Sequence, residues 1–142
     1  MGVKKMDGHS TEITVQPEDI DVLNHMNNII YIQYLENARL EWYKKIGVSL
    51  DQLMIKGQAI VLRNLEISYI NEAHLGDRLT ITTMPYRRGK RSFTLKQKIY
   101  NKNNEIITEA EAVKVMIDLE ERKSMPLINS IGKYFDSPVE QR

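Results

Sequence analysis

Asp19, Asp21, His25, Asn27 and Asn28 crowd into one short stretch and could do chemistry together. A free aspartate titrates near pH ~3.9, so Asp21 is ionised at neutral pH and can act as a nucleophile or as a base activating water. His25 follows four residues on, close enough for a folded loop to turn its ring toward that carboxylate or a substrate. Directly behind, the chain reads as the start of a helix, whose first N–H groups lack intrahelical partners and lie at the positive dipole end. Such groups can polarise a carbonyl and hold an oxyanion. Carboxylate, imidazole and oxyanion donor are the parts that hydrolysis of an activated acyl group requires. Asp and Asn also make turns and caps, and a lone histidine is commonly structural, so spacing alone leaves both readings open.

The elements that must position this loop lie on either side of it. Residues 11–16 alternate as Thr-Glu-Ile-Thr-Val-Gln, a short strand that Pro17 ends. The helix begins near Asn27 or Asn28, both good N-caps. Tyr31, Tyr34, Leu35, Ala38, Trp42 and Ile46 then form one apolar stripe. Lys44 and Lys45 suit the dipole of the last turn, and Gly47 follows the cap. At 1.5 Å per residue this helix is ~28 Å long, enough to lie across a sheet. Ser49-Leu-Asp-Gln52 is a capping box that opens a second, shorter helix closed by Gly57.

From there the period changes to two. Residues 59–70 form a strand whose apolar parity slips from Ile60 and Leu62 to Leu65, Ile67 and Tyr69, which predicts a bulge near Arg63 and Asn64. Strands follow over 78–87, 91–101 and 105–119, joined by turns around Gly76, Gly89 and residues 101–104. In the third of the four, Phe93, Leu95 and Ile99 point in while Ser92, Thr94, Lys96 and Lys98 point out. A terminal helix is expected over 127–135, after Pro126. Short hairpin connections make these four strands antiparallel, and with one long helix on a face the class is α+β.

Composition bounds the rest. The 142 residues suit a single domain, here 11–142, preceded by a loose polar segment over 1–10. The net charge of +1 gives no global case for nucleic acid or an anionic membrane. The chain has no cysteine, so no disulfide, cysteine nucleophile or thiolate metal site is possible. The three histidines are scattered, and there is no Walker loop, dinucleotide fingerprint, Gly-x-Ser-x-Gly elbow or His-Glu-x-x-His, so neither a metal nor a cofactor is expected. The first residues lack a signal-peptide core and no apolar run reaches the ~20 residues of a membrane span, which makes a cytoplasmic protein the expectation.

The motif Asp19-x-Asp21-x-x-x-His25-x-Asn27-Asn28, followed by Tyr31, Tyr34-Leu35-Glu36 and Ala38-Arg39, resembles the hotdog-fold acyl thioesterases. It is similar to the single-domain acyl-CoA thioesterases related to 4-hydroxybenzoyl-CoA thioesterase, and to the catalytic loop of plant acyl-acyl-carrier-protein thioesterases. The likeness continues through Leu65-x-Ile67-x-Tyr69-Ile70 and Leu75-Gly76-Asp77-x-Leu79. It implies a hotdog fold, an antiparallel sheet wrapped around one long helix, assembled as a homodimer or dimer of dimers with active sites between subunits. It implies Asp21 as nucleophile or base, His25 as its assistant, the N–H near Asn28 as the carbonyl-polarising donor, and Asn27 among the substrate-binding residues. Plant-type enzymes carry an asparagine two residues after the aspartate, where this chain has Leu23. Glu36 on the helix reads either as a second candidate carboxylate or as an exposed position explained by Arg39 three residues away.

The resemblance also implies an acyl-CoA or acyl carrier protein substrate. Between Tyr86 and Lys102 stand Arg87, Arg88, Lys90, Arg91, Lys96, Lys98 and Lys102 with no acid. This run reads either as a solvated hairpin or as a landing site for coenzyme A phosphates or an acidic carrier, with Arg87, Arg88, Lys90 and Arg91 as the contacts. Little aromatic surface accompanies it, which argues against nucleic acid. Two other activities share such a scaffold: hydration or dehydration of an enoyl thioester, and acyl-thioester binding without catalysis.

Overall fold

The alternating segments fold as β1 (His9–Thr14), β2 (Gln58–Tyr69), β3 (Arg78–Arg88), β4 (Ser92–Tyr100), β5 (Ile106–Asp118) and the short β6 (Lys123–Ser124) in a computed structural model that describes residues 7–135. The helices are α1 (Asn28–Lys45), α2 (Leu50–Ile55) and α3 (Asn129–Gly132). All strand pairs are antiparallel, in the order β1-β3-β4-β5-β2, with β6 beside the end of β5. This sheet with α1 on one face is the α+β arrangement of the hotdog fold.

α1 buries Tyr31, Leu35, Ala38 and Trp42, four positions of the stripe read from sequence. Its first half packs with Met26, Ala73, Leu79, Ile81, Ile99, Ile107 and Ala110; its second half joins Phe93, Leu95, Met116 and Ile131. Gly47 takes φ +81° after the helix, the left-handed conformation that glycine reaches without steric cost. β2 occupies one edge of the sheet and pairs only with β5, so the other side of its backbone is unpaired among the described residues.

The predicted β2 bulge is present: the register slips between Leu62 and Asn64, leaving Arg63 as the extra residue. A second slip, between Pro85 and Arg87, was not legible, because Tyr86 interrupts no obvious alternation. Four expectations need correction. β1 starts at His9, inside the segment expected to be loose, because the His9 ring bonds Glu41 at 2.9 Å and the Trp42 indole donates to Asp7 O at 2.8 Å. The remainder of that expected segment, residues 1–6, lies outside the described residues. Ser92 and Thr94 do face away from α1 but are buried rather than exposed, and line a hollow beneath Arg87 and Arg88. The terminal helix is only four residues long, since Met125 N–H bonds Met116 O and Leu127 N–H bonds Lys90 O, holding the chain extended until Ile128. Arg39 does not pair with Glu36. It turns inward, 3% exposed, and its Nη1 donates to Gln97 Oε1 at 3.0 Å.

Candidate active site

The candidate catalytic loop is built around the buried carboxylate of Asp19. Asp19 is 7% exposed, and its Oδ2 accepts from Gln16 N–H at 2.9 Å and from the Tyr34 hydroxyl at 2.6 Å. Burial first, and then Asp19, push the Tyr34 hydroxyl up to about 12, so it stays a donor throughout the neutral range. Asn27 N–H donates to Asp19 O at 2.9 Å, closing the loop on itself. Met26 is fully buried, and its N–H bonds Ala73 O at 2.8 Å. The loop is therefore anchored at both ends to α1 and to the turn after β2.

Between those anchors the chain folds back sharply. Asp21 N–H bonds His25 O at 3.2 Å, Asn24 N–H bonds Asp21 O at 3.1 Å, and Asn24 sits at φ +65°, a conformation asparagine tolerates better than most residues. Asp21 Oδ1 accepts from Leu23 N–H at 2.8 Å, which fixes the carboxylate while Oδ2 remains available. The turn pairs Asp21 with His25 through the backbone, not through their side chains. The His25 ring instead has Nδ1 3.1 Å from Met26 O. With that nitrogen donating, the neutral ring presents Nε2 as an acceptor.

Asn27 caps α1, its Oδ1 accepting from Ile29 N–H at 2.9 Å and its carbonyl from Ile30 N–H. Of the first three helical amides, only that of Asn28 is then left without a protein acceptor among the described residues. The Tyr69 hydroxyl donates to Asn28 O at 3.1 Å, tying this turn to the end of β2. A carboxylate, an imidazole and an unpaired amide at the positive end of a helix thus share one loop. Among the described residues, no cluster of His, Asp or Glu could hold a metal ion. Among the same residues, no helix is long and apolar enough to cross a membrane.

The basic residues picked out in sequence lie elsewhere. Arg87 and Arg88 are at the far end of β3 from Arg78, next to the loop, a separation of roughly 30 Å at ~3.3 Å per residue. With Arg63, Ser92 and Thr94 they line a hollow of about 330 Å³. Arg87 stacks on Tyr86 and approaches Glu111 at 3.7 Å, and its Nε is buried without a partner. Arg88 Nε donates to Gly89 O. Lys90 and Arg91 are exposed at the turn, where Arg91 reaches Ser124 Oγ at 3.3 Å. One chain does not bring these cations to Asp21. Sequence reasoning missed Arg63 in the hollow, and its only available signal was its place in the β2 bulge. Tyr34 was read as core alone, and its bond to Asp19 depends on a fold-back that spacing does not reveal.

Proteins of known activity resemble this chain in sequence and fold. The chain is 29% identical to the long-chain acyl-CoA thioesterase FadM of Escherichia coli over 130 residues, covering 91% of this chain and 98% of that one. It is 30% identical to the acyl-CoA thioester hydrolase YbgC of Escherichia coli over 123 residues, covering 87% and 92%. A solved 1,4-dihydroxy-2-naphthoyl-CoA thioesterase from Synechocystis has the same fold, with a TM-score of 0.83 at 23% identity over 89% of this chain and 94% of that one. The thioesterase-like superfamily model matches residues 15–135, from the residue after β1 to the end of the described chain. The chain belongs to the thioesterase-like superfamily and is a thioester hydrolase.

Proposed function

We propose that the protein hydrolyses acyl-CoA thioesters with Asp21 as base or nucleophile, and that it does so as a dimer joined through β2. The observation that carries the catalytic assignment is the unpaired Asn28 amide in the same loop as a carboxylate held by a single backbone bond. The thioester carbonyl sits on that amide. Asp21 attacks the carbonyl carbon, or takes a proton from the water that does, and the oxyanion shares the helix N-terminus. His25 Nε2 orients water or assists proton transfer. The thiolate leaves with a proton; where water attacked, the free acid remains, and where Asp21 attacked, a water then cleaves the mixed anhydride to the free acid and the Asp21 carboxylate.

The dimer rests on the shape of the open flank. β2 offers an unpaired edge of 12 residues, with Val61, Leu62 and Tyr69 exposed at 38%, 45% and 42%. A long apolar edge is an invitation to pair with another strand. A second copy joined antiparallel along β2 reverses end for end, so each hollow of Arg63, Arg87 and Arg88 turns toward the loop end of the partner. Guanidinium groups suit the phosphates of coenzyme A. The acyl-CoA substrates named for FadM and YbgC favour this carrier over an acyl carrier protein.

Thiol release from acyl-CoA and from the matching acyl-pantetheine, with a size measurement on the same sample, tests all three parts. Asp21→Asn abolishes most release from both substrates. Arg63→Ala with Arg87→Ala raises KM for acyl-CoA and leaves acyl-pantetheine unchanged. A strict monomer with full activity, or an Asp21→Asn variant at wild-type turnover, overturns the reading.

A further inference from the structure

The open flank of α1 is a track that begins at the proposed carbonyl site. Ile29, Ile32, Glu36 and Leu40 succeed one another at spacings of three and four, and the three apolar members are exposed at 64%, 36% and 40%. Across from them the inner face of β2 presents Tyr69, whose hydroxyl holds Asn28 O, and Leu62. On the helical side Ile29 and Ile32 precede Glu36, which stands about 12 Å along at 1.5 Å per residue, with the exposed amide of Gln33 beside them.

At that level the track becomes charged. Lys114 shares strand parity with Ala110 and Ala112, the small buried residues on the α1 side of β5, so its side chain faces the helix. Its cross-strand neighbours are Leu62 and Phe93, neither of which can bond an ammonium group. Arg39, on the next helical turn, is buried with its Nε unpartnered, and the Tyr43 hydroxyl is likewise buried without a partner. Burial lowers the Lys114 ammonium to about 8; Arg39 adds to this and Glu36 opposes it. A desolvated cluster of this kind contributes little to folding. A plain alkyl tail laid over it would strip the remaining water from Lys114 and Glu36 and return no hydrogen bond.

We propose that Lys114, backed by Arg39 and Glu36, is a specificity-determining residue that selects acyl groups carrying oxygen at the far end and rejects plain alkyl tails longer than about two turns of α1. This rests on the catalytic reading above, because that reading fixes where the acyl group starts. The distal oxygen accepts from the Lys114 ammonium and replaces the water that the acyl group displaces. Short acyl groups end before the cluster and are indifferent to it.

The test measures kcat/KM by thiol release for butanoyl-, octanoyl-, hexadecanoyl-, ω-hydroxyoctanoyl- and octanedioyl-CoA, using the full chain. The wild type prefers one of the two oxygenated eight-carbon substrates over octanoyl-CoA by at least about tenfold, and which of the two leads tells hydroxyl from carboxylate. Lys114→Met removes that preference and raises hexadecanoyl-CoA about tenfold while butanoyl-CoA stays within about twofold. Lys114→Arg retains the preference, which a merely structural lysine would not require. Should Lys114→Met not fold, Lys114→Ala gives the same comparison, since it also removes the donor. Hydrolysis of butanoyl-CoA by a wild type that favours hexadecanoyl-CoA overturns the specificity proposal and leaves the catalytic reading intact. An equal change on every substrate in Lys114→Met also overturns it. No release from any thioester sinks both.

Discussion

At its C-terminal end α1 drives Trp42 and Tyr43 into a nest of aromatic rings, whereas at its N-terminal end it meets a loop tied by hydrogen bonds and largely open to water. Trp42 is fully buried and lies within about 6 Å of the ring centres of Phe93, Tyr134 and Phe135. At the other end Val22 and Leu23 are exposed at 96% and 69%, and Asp21 is held between them and Ile20 by backbone bonds. Packing at one end supplies stability that tolerates no volume change; polar bonds at the other supply position. The two ends should therefore fail differently when cut.

The sharpest separation comes from Asp21→Asn. Asparagine keeps an oxygen for Leu23 N–H, so the turn survives, but it is neither a base nor a nucleophile. Turnover falls by about 10²–10⁴ in a thiol-release assay. The midpoint of thermal unfolding moves by no more than about 2 °C, as for an exposed substitution. A large drop in stability alongside lost activity would mean the loop is structural after all.

Trp42→Ala reverses the pattern. It empties the centre of the aromatic nest and removes the indole bond to Asp7 O, and costs about 3–5 kcal/mol in urea unfolding. Turnover per folded molecule stays within about threefold, because Trp42 lies nearly four helical turns from Asn28. Selective loss of turnover without loss of stability would erase the distinction between the ends.

Tyr34→Phe probes the join between them. It leaves the buried Asp19 carboxylate with Gln16 N–H as its one remaining hydrogen bond and costs about 1–3 kcal/mol. Because Asp19 and Asp21 share one turn, kcat also falls roughly tenfold as the carboxylate loses its placement, with KM little changed. Stability lost with kcat unaltered would show that the Asp19 latch does not position Asp21.

Much of this contrast was legible before any coordinates. The stripe from Tyr31 to Trp42, the cap at Asn27, the bulge at Arg63 and the antiparallel class follow from local periodicity and turn chemistry, which act over a few residues. Arg39 inverted its expected role because a long side chain beside an apolar stripe can turn either way, and Gln97, 58 residues distant, decides it. Ser92 and Thr94 are polar and alternate as an outer face should; only the fold of Arg87 over them, set by the unread slip at Tyr86, buries them. The candidate catalytic loop shows the same division. Its residue types were readable, but the Asp19–Tyr34 bond and the backbone pairing of Asp21 with His25 depend on how the chain closes. That Arg87 and Arg88 stand at the far end of β3, roughly 30 Å of strand away from Arg78, could not be seen in a one-dimensional charge run.

The smallest effect concerns the strap that ties β1 to the middle of α1. Glu41 accepts from Thr11 at 2.8 Å and pairs with His9 at 2.9 Å. Partial burial pushes its carboxyl up, but the bonds from Thr11 and His9 outweigh this and hold it below the ordinary 4.5. A carboxyl with a lowered folded-state value binds fewer protons folded than unfolded, so its stabilisation is present above about pH 4.5 and drains as pH falls through the folded value. Glu41 is 46% exposed, which limits the contribution to no more than about 1 kcal/mol. Thr11→Val should therefore lower stability near neutrality by no more than about 1 kcal/mol and leave it unchanged well below pH 4.5, which flattens the acid limb. The turnover of Thr11→Val should match the wild type at pH 7, since the strap touches neither the loop nor the track along α1. An acid limb unchanged by the substitution would leave Glu41 to His9 alone, and His9→Gln would then have to remove it.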